Sequence, residues 1–244
     1  MKALSLIFIL LFPLISSAEE NIKSIVEHVD KLYRSNSSVA EVEMQIVNPN
    51  WERTLRMNIA TETMKHTFID ILYPNKEKGS GTLRKSSEMW NFFPKVGKVV
   101  KVPPSMMMSS WMGSDFNNDD LVKETTLTDN YTSKFVSGAD KNNYYIELTP
   151  LKSTVTVWGK ILLTVRKDNK MPITEEYFDE KGVKIRTLSF SDYKKFGDRL
   201  IPAKLELIPE NKANQKTVIK YSNMKFDLKL PDDTFTLINL QRKR

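Results

Sequence analysis

The sequence contains no cysteine, which excludes both a disulfide framework and a lipid attached through a cysteine. Histidine occurs only twice, at His28 and His66, and no orienting carboxylate is marked beside either one. Glycine-rich phosphate loops, dinucleotide fingerprints and the G-x-S-x-G turn of serine hydrolases are also missing. We therefore expect a protein that is not an enzyme, with no catalytic residues and no cofactor.

The chain also lacks an apolar run as long as the ~20 residues that cross a bilayer. Its longest such run lies in residues 1–18, where it follows the basic Lys2 and precedes three small residues. This pattern is typical of a cleavable secretory signal peptide. We predict residues 1–18 as a signal peptide and residues 19–244 as one exported domain. Since no cysteine can carry a lipid, we expect a periplasmic protein without a lipid anchor.

Positive charge is in moderate excess, with a formal net charge of +7. Lysine and arginine are spread along the chain rather than clustered, which does not favour a nucleic-acid partner. The same balance permits attraction to anionic membrane surfaces or acidic proteins.

Apolar periodicity indicates one helix followed by many strands. Ile22, Ile25, Val26 and Val29 have helical spacing, which predicts an amphipathic helix at the start of the domain. From Val39 onward the period is two, and roughly eleven strand-like runs follow, separated by polar turns. The pattern predicts a mainly β fold with some α structure (α+β). We expect a strongly curved antiparallel sheet that leaves a concave apolar face, with helices covering it.

The most unusual stretch is residues 88–122. Its first part is a predicted strand that is apolar on both faces, with Met89, Trp90, Phe92 and Phe93. A returning strand follows and stops at Pro103-Pro104. The next part predicts a helix that Ser105 caps and Gly113 ends, with an apolar stripe formed by Met106, Met107, Met108, Trp111 and Met112. Two interpretations stay open: a helix that fills the core, or a pliable lid over an apolar cavity.

An acidic run after this segment also has two interpretations. Asp115, Asn117 and Asp119 match positions 1, 3 and 5 of a calcium loop. Asp120 and Thr126 then stand where the loop needs glycine and glutamate. The favoured alternative is that Asn117 caps a short helix and Asp120 reaches back to it, so we predict no metal site.

Several of these residues resemble a known family. The run Trp111-Met112-Gly113-Ser114-Asp115-Phe116, with Met89-Trp90 before it and Asp119-Asp120-Leu121 after it, resembles bacterial outer-membrane lipoprotein-sorting proteins of the LolA-like superfamily. Later segments are similar too, namely Lys170-Met171-Pro172, Arg199-Leu200-Ile201-Pro202 and Asp233-Thr234-Phe235-Thr236.

The resemblance implies an incomplete β-barrel of about eleven strands, with helices across its open side and a hydrophobic cavity inside. It also implies a periplasmic carrier of lipid or lipoprotein acyl chains, with an inner-membrane transporter of the resistance-nodulation-division (RND) type as a possible partner. The best-known carriers lock their lid with an arginine. Arg53 and Arg56 are conceivable counterparts here, but no motif distinguishes them.

We therefore predict a monomeric carrier that passes acyl chains towards the outer membrane. A lipid-sensing adaptor of an envelope complex is the alternative, and an enzyme that uses only the shape of its pocket is a third hypothesis. The expected lipid-binding residues are Trp90, Phe92, Phe93, Met106, Met107, Met108, Trp111 and Met112. The residues expected to form or cap the lid are Gly113, Asp115, Asn117 and Asp120.

Overall fold

The structure is a computed structural model that describes residues 21–63, 65–122 and 126–242. The signal peptide predicted at residues 1–18 lies outside these ranges and stays a prediction. None of the helices in the described ranges is both long and apolar enough to cross a membrane.

Within the described residues one sheet contains thirteen strands, two more than the sequence predicts. The strands are β1 (Ser37–Asn48), β2 (Trp51–Glu62), β3 (His66–Tyr73), β4 (Gly81–Lys85), β5 (Glu88–Phe93), β6 (Lys98–Lys101), β7 (Tyr131–Val136), β8 (Asn143–Pro150), β9 (Lys160–Arg166), β10 (Pro172–Phe178), β11 (Lys184–Phe196), β12 (Arg199–Pro209) and β13 (Lys216–Phe226). The helices are α1 (Ile22–Lys31), a 3-10 turn (Pro104–Met106), α2 (Asn118–Val122), α3 (Leu127–Asn130) and α4 (Leu237–Leu240).

The sheet is antiparallel throughout and does not close. Its spatial order is β6-β5-β4-β3-β2-β1-β13-β12-β11-β10-β9-β8-β7, so two meanders meet where the first strand pairs with the last. In that pairing Met44 lies opposite Ile219, and Ile46 lies opposite Thr217. The two edges of the sheet are therefore β6 and β7, although these strands are consecutive in the chain.

Strand alternation gives the sheet one strongly apolar face. On β1 the buried apolar side chains are Ala40, Val42, Met44 and Ile46, and the residues between them are more exposed. The apolar stripe of α1 packs on this face, where Ile25 is fully buried. The predicted amphipathic helix is thus present and forms part of the main core.

The sheet must be curved, because two residues that are adjacent in the chain, Asp120 and Leu121, form hydrogen bonds with strands that lie far apart in the sheet. Arg84 on β4 donates to the carbonyl of Leu121, and Arg186 on β11 donates to the carboxylate of Asp120. Five strands lie between β4 and β11. In a flat sheet that separation is about 29 Å, which two arginine side chains cannot bridge from adjacent residues.

A second apolar cluster lies on the other face of the sheet. Phe68 and Leu83 on neighbouring strands pack with Phe235 and Leu240 of the C-terminal segment. Gly81 belongs here for a steric reason, since an added Cβ would lie 2.8 Å from a methyl carbon of Leu240. The C-terminal segment thus covers the outer surface of β3 and β4.

The methionine-rich helix that the sequence predicts is absent: Pro104–Met106 forms one 3-10 turn, and the chain then continues as turns and bends. Met112 and Gly113 have φ of 52° and 74°, which are incompatible with a helix. The helical spacing of Met108, Trp111 and Met112 therefore did not indicate a helix.

Replacing Ile25 with alanine tests the packing of α1. We expect the free energy of unfolding to fall by about 2–5 kcal/mol, because the substitution leaves a cavity in the core. Urea denaturation measures this change. Lys23→Ala, on the exposed face of the same helix, is the matched control and should cost less than about 0.5 kcal/mol. Equal losses in the two variants would show that α1 is not docked in the core.

Candidate functional site

Residues 102–130, which we call the crossing segment, connect the two edges of the sheet. Because β6 and β7 lie at opposite edges, this segment has to pass over the open side of the sheet. Its described parts, 102–122 and 126–130, fold on themselves through backbone hydrogen bonds, for example from Trp111 N to Phe116 O at 2.8 Å. The segment therefore covers the apolar face largely as irregular structure.

Polar side chains on the apolar face hold the crossing segment in place. Arg53 on β2 donates to the carbonyl oxygen of Met112 and, at 2.8 Å, to Glu77. Thr217 on β13 donates to Asp115 at 2.8 Å and accepts from the Asp115 backbone N–H at 2.9 Å. Together with Arg84 and Arg186, these residues fix the segment to both meanders of the sheet.

The Arg186–Asp120 attachment is an enclosed ion pair, whose side chains are 9% and 13% exposed. Two guanidinium nitrogens donate to the two carboxylate oxygens at 2.8 and 2.7 Å. The guanidinium carbon lies 4.7 and 4.5 Å from the ring centres of Trp158 and Tyr177. Burial alone lowers the pKa of Arg186, but the hydrogen bonds to Asp120 and its negative charge outweigh burial and raise it. The bidentate pair therefore anchors α2 to β11.

A cavity of about 670 Å³ lies between the crossing segment and the strands at the β6 edge. Cavities of about 300–1,000 Å³ are typical of small-molecule sites. Its lining is mostly apolar, and its mouth is formed by the loop between β3 and β4 and the turn between β5 and β6. The apolar and aromatic lining residues are Ile71, Phe92, Phe93, Pro94, Val96, Val100, Val102, Pro103, Met106, Trp111 and Met112.

The deep wall of the cavity contains a short chain of hydrogen bonds. The indole N–H of Trp111 donates to the hydroxyl of Thr82 at 3.2 Å, and this hydroxyl donates to the amide oxygen of Asn91 at 2.7 Å. Trp111 is only 2% exposed. The indole is therefore held in a fixed orientation with its polar atom satisfied, and it borders the cavity as a buried residue of the main core.

The structure places the predicted lipid-binding residues in three environments. Those that line the cavity are Phe92, Phe93, Met106, Trp111 and Met112. Trp90 packs instead with the second cluster on the outer face, to which the Phe92 side chain also belongs. Met107 packs against the main core, and Met108 is 47% exposed.

The residues predicted to form or cap the lid lie in the crossing segment. Asn117 and Asp120 exchange hydrogen bonds at 3.0 and 2.8 Å, each from a backbone N–H to the other side chain, at the start of α2. Gly113 also lines the cavity, and a Cβ there would lie 3.2 Å from Arg53 Nη2. Asp115 binds β13, as described above. Within the described ranges no group of three or more metal-binding side chains occurs.

Sequence reasoning missed Thr82, Asn91 and Arg186, and it did not distinguish Arg53 from Arg56. The alternation of buried and exposed residues along β2 distinguishes the two arginines. Arg53 shares its parity with the buried Leu55 on β2, and its side chain reaches the crossing segment. Arg56 has the opposite parity and pairs with Glu43 at the surface.

The fold is that of the LolA superfamily. A LolA superfamily protein from Nitrosomonas europaea is 23% identical with a TM-score of 0.73, over 89% of this chain and 98% of that chain. An outer membrane lipoprotein-sorting protein domain from Vibrio parahaemolyticus is 19% identical with a TM-score of 0.76, over 90% and 98%. A DUF1329 family protein from Desulfovibrio piger is 23% identical with a TM-score of 0.77, over 89% and 97%.

Residues 63–242 match a family model whose description is that of an uncharacterized protein, and the chain belongs to this family. No curated protein matches the chain. The resemblance to lipoprotein-sorting proteins of the LolA-like superfamily, drawn from the sequence, is thus confirmed.

Arg186→Met tests the enclosed ion pair. The variant removes the charged partner of the largely buried Asp120 carboxylate, so we expect a loss of about 3–5 kcal/mol in the free energy of unfolding. Urea denaturation measures it. Lys184→Met, on the same strand but in a surface ion pair, should cost less than about 1 kcal/mol. A loss at Arg186 no larger than at Lys184 would contradict the anchoring role.

Arg53→Gln tests whether this arginine holds the crossing segment closed. Removing the bond to the Met112 carbonyl should raise hydrogen exchange of the amides of residues 109–120 by about tenfold, since a charged hydrogen bond contributes about 1.5–3 kcal/mol. Mass spectrometry of peptic fragments measures the exchange. Arg56→Gln removes the same charge from the outer face and should leave exchange unchanged. Equal exchange in both variants would argue against a clamp at Arg53.

Proposed function

We propose that the protein is an exported, periplasmic carrier that binds the acyl chains of lipids or lipoproteins in this cavity and passes them towards the outer membrane. The observation that carries the proposal is the apolar cavity of about 670 Å³ beneath a segment held by side-chain hydrogen bonds. The LolA-type fold supports it. The proposed function includes no chemical step.

Energetics favour a cargo that is only partly enclosed. Burial of one sixteen-carbon chain contributes on the order of 10 kcal/mol at ~0.8 kcal/mol per CH₂. Three such chains would exceed the ~18–21 kcal/mol at which noncovalent affinity saturates. A cavity of this volume has room for a part of a triacylated anchor, and partial burial keeps release possible.

Cargo enters at the mouth, beside the exposed Met106, and lies against the apolar lining that includes Met112 and borders Trp111. The Met112 side chain is flexible and the Phe93 side chain is large and apolar. This part of the lining therefore adapts to acyl chains of different shape. Entry requires the crossing segment to loosen from Arg53, whose contact with Met112 borders the cavity.

We propose that the carrier is a monomer and that an inner-membrane RND-type transporter loads it. The choice of this partner rests on the resemblance alone. Since the proposed carrier hydrolyses no nucleotide, release is driven by an acceptor of higher affinity or by the loading partner.

The test is native mass spectrometry of protein purified from a bacterial periplasm, followed by organic extraction. We expect discrete added masses of acylated species. Met106→Glu places a charge at the mouth of the cavity and should reduce bound lipid by about tenfold, because the carboxylate loses water when an acyl chain packs against it. Met108→Glu is a matched control: Met108 is similarly exposed, at 47% against 51%, but lies outside the cavity lining.

Bare protein that also fails to take up fluorescent fatty acids would contradict lipid binding. Equal loss of bound lipid in both methionine variants would contradict this cavity as the binding site. Transfer of bound lipid to acceptor vesicles then separates carrier from sensor. A carrier transfers its lipid to vesicles, whereas a lipid-sensing adaptor retains it and changes its affinity for a protein partner.

A further inference from the structure

Two lysines lie at the mouth of the cavity on adjacent turns. Lys76 is in the loop between β3 and β4, and Lys95 is in the turn between β5 and β6; both side chains are exposed and both residues line the cavity. The two turns are neighbours, since a Cβ added at Gly79 would lie 3.9 Å from Pro94. The mouth therefore presents two positive charges above an apolar interior.

Both turns are held by backbone hydrogen bonds, so the lysines start from fixed positions. In the first turn the amides of Glu77 and Lys78 both donate to Pro74 O at 2.9 Å. In the second, Gly97 donates to Pro94 O at 3.2 Å, and its φ of 61° suits glycine. A ligand that binds here orders two side chains and no backbone.

The other charged groups at the mouth already have partners. Glu77 accepts from Arg53, and Lys101 pairs with Glu88 and lies over the ring of Trp90. Lys76 and Lys95 make no ion pair within the described part of the chain. The carboxylate at this mouth is thus neutralised, and two lysines remain available to an anion.

We propose that the cargo of this cavity is an anionic amphiphile, whose acyl chain lies in the cavity and whose phosphate or carboxylate group lies between Lys76 and Lys95. The proposal rests on the proposed lipid-binding function and specifies its ligand class. Apolar contacts supply the affinity, and the two lysines select the charge of the head group. Exposed Phe93 and Val96 beside Lys95 extend the apolar surface to the rim.

The experiment compares three lipids with the same palmitoyl chain: lysophosphatidylglycerol (anionic), lysophosphatidylcholine (zwitterionic) and monopalmitoylglycerol (neutral). Binding to delipidated full-length mature protein is followed by tryptophan fluorescence below the critical micelle concentration. We expect the wild-type protein to bind the anionic lipid about threefold to tenfold more tightly, because each solvent-exposed ion pair adds only a small amount of affinity. The preference should weaken at high salt.

The double variant Lys76→Gln/Lys95→Gln should lose this preference and retain its affinity for the neutral lipid. Its matched control is Lys78→Gln/Lys98→Gln, which removes the same charge from exposed positions in the first turn and at the start of β6, neither of which lines the cavity. The control should keep the preference. Because all four side chains are exposed, both variants should fold, which thermal unfolding verifies.

Each outcome separates this inference from the lipid-binding function. Equal wild-type affinity for the three lipids, or equal loss of preference in both double variants, would overturn the inference and leave lipid binding intact. Failure to bind any of them would overturn lipid binding itself. Inorganic phosphate distinguishes the source of the anion: competition by phosphate alone at micromolar concentration would point to a free-anion site and contradict a head-group site.

Discussion

The pairing of β1 with β13 determines the rest of the architecture. It joins two meanders into one sheet and thereby makes β6 and β7 its opposite edges. The connection between these consecutive strands then has to cross the open side, where it covers the apolar face. The cavity exists because this connection is attached at a few points and does not fill the space below it.

Those attachments are polar groups placed on an apolar face, and their pairing explains why they are tolerated there. A buried polar or charged group is costly unless its hydrogen bonds are satisfied. The terminal guanidinium nitrogens of Arg53 and Arg186 and the hydroxyl of Thr217 meet this requirement with carbonyl or carboxylate oxygens of the crossing segment. Among the described residues, the Nε atoms of both arginines are buried without a hydrogen-bond partner. The crossing segment thus supplies acceptors that these side chains need, and the same hydrogen bonds hold the segment in one position on the sheet.

Periodicity predicted α1 and most strands because burial on one face imposes the spacing directly. It missed β4, whose residues are mostly buried and show no alternation. It also predicted a helix before Gly113, but the positive φ of Met112 and Gly113 and the hydrogen bonds within the loop are incompatible with one. Several cavity residues were predictable as apolar groups in an unusual stretch. Thr82 and Lys76 were not, since their roles depend on which strands and turns become neighbours in space.

The β1–β13 pairing also has a kinetic consequence. Ile46 and Thr217 are about 170 residues apart in the chain, so their contact has a large loop-closure cost. Hairpins within each meander are local and form early, whereas the pairing that joins them comes late. When the chain emerges N-terminus first, β1 therefore lacks one of its two neighbouring strands until β13 has emerged. The apolar face is completely buried only when this last strand pairs.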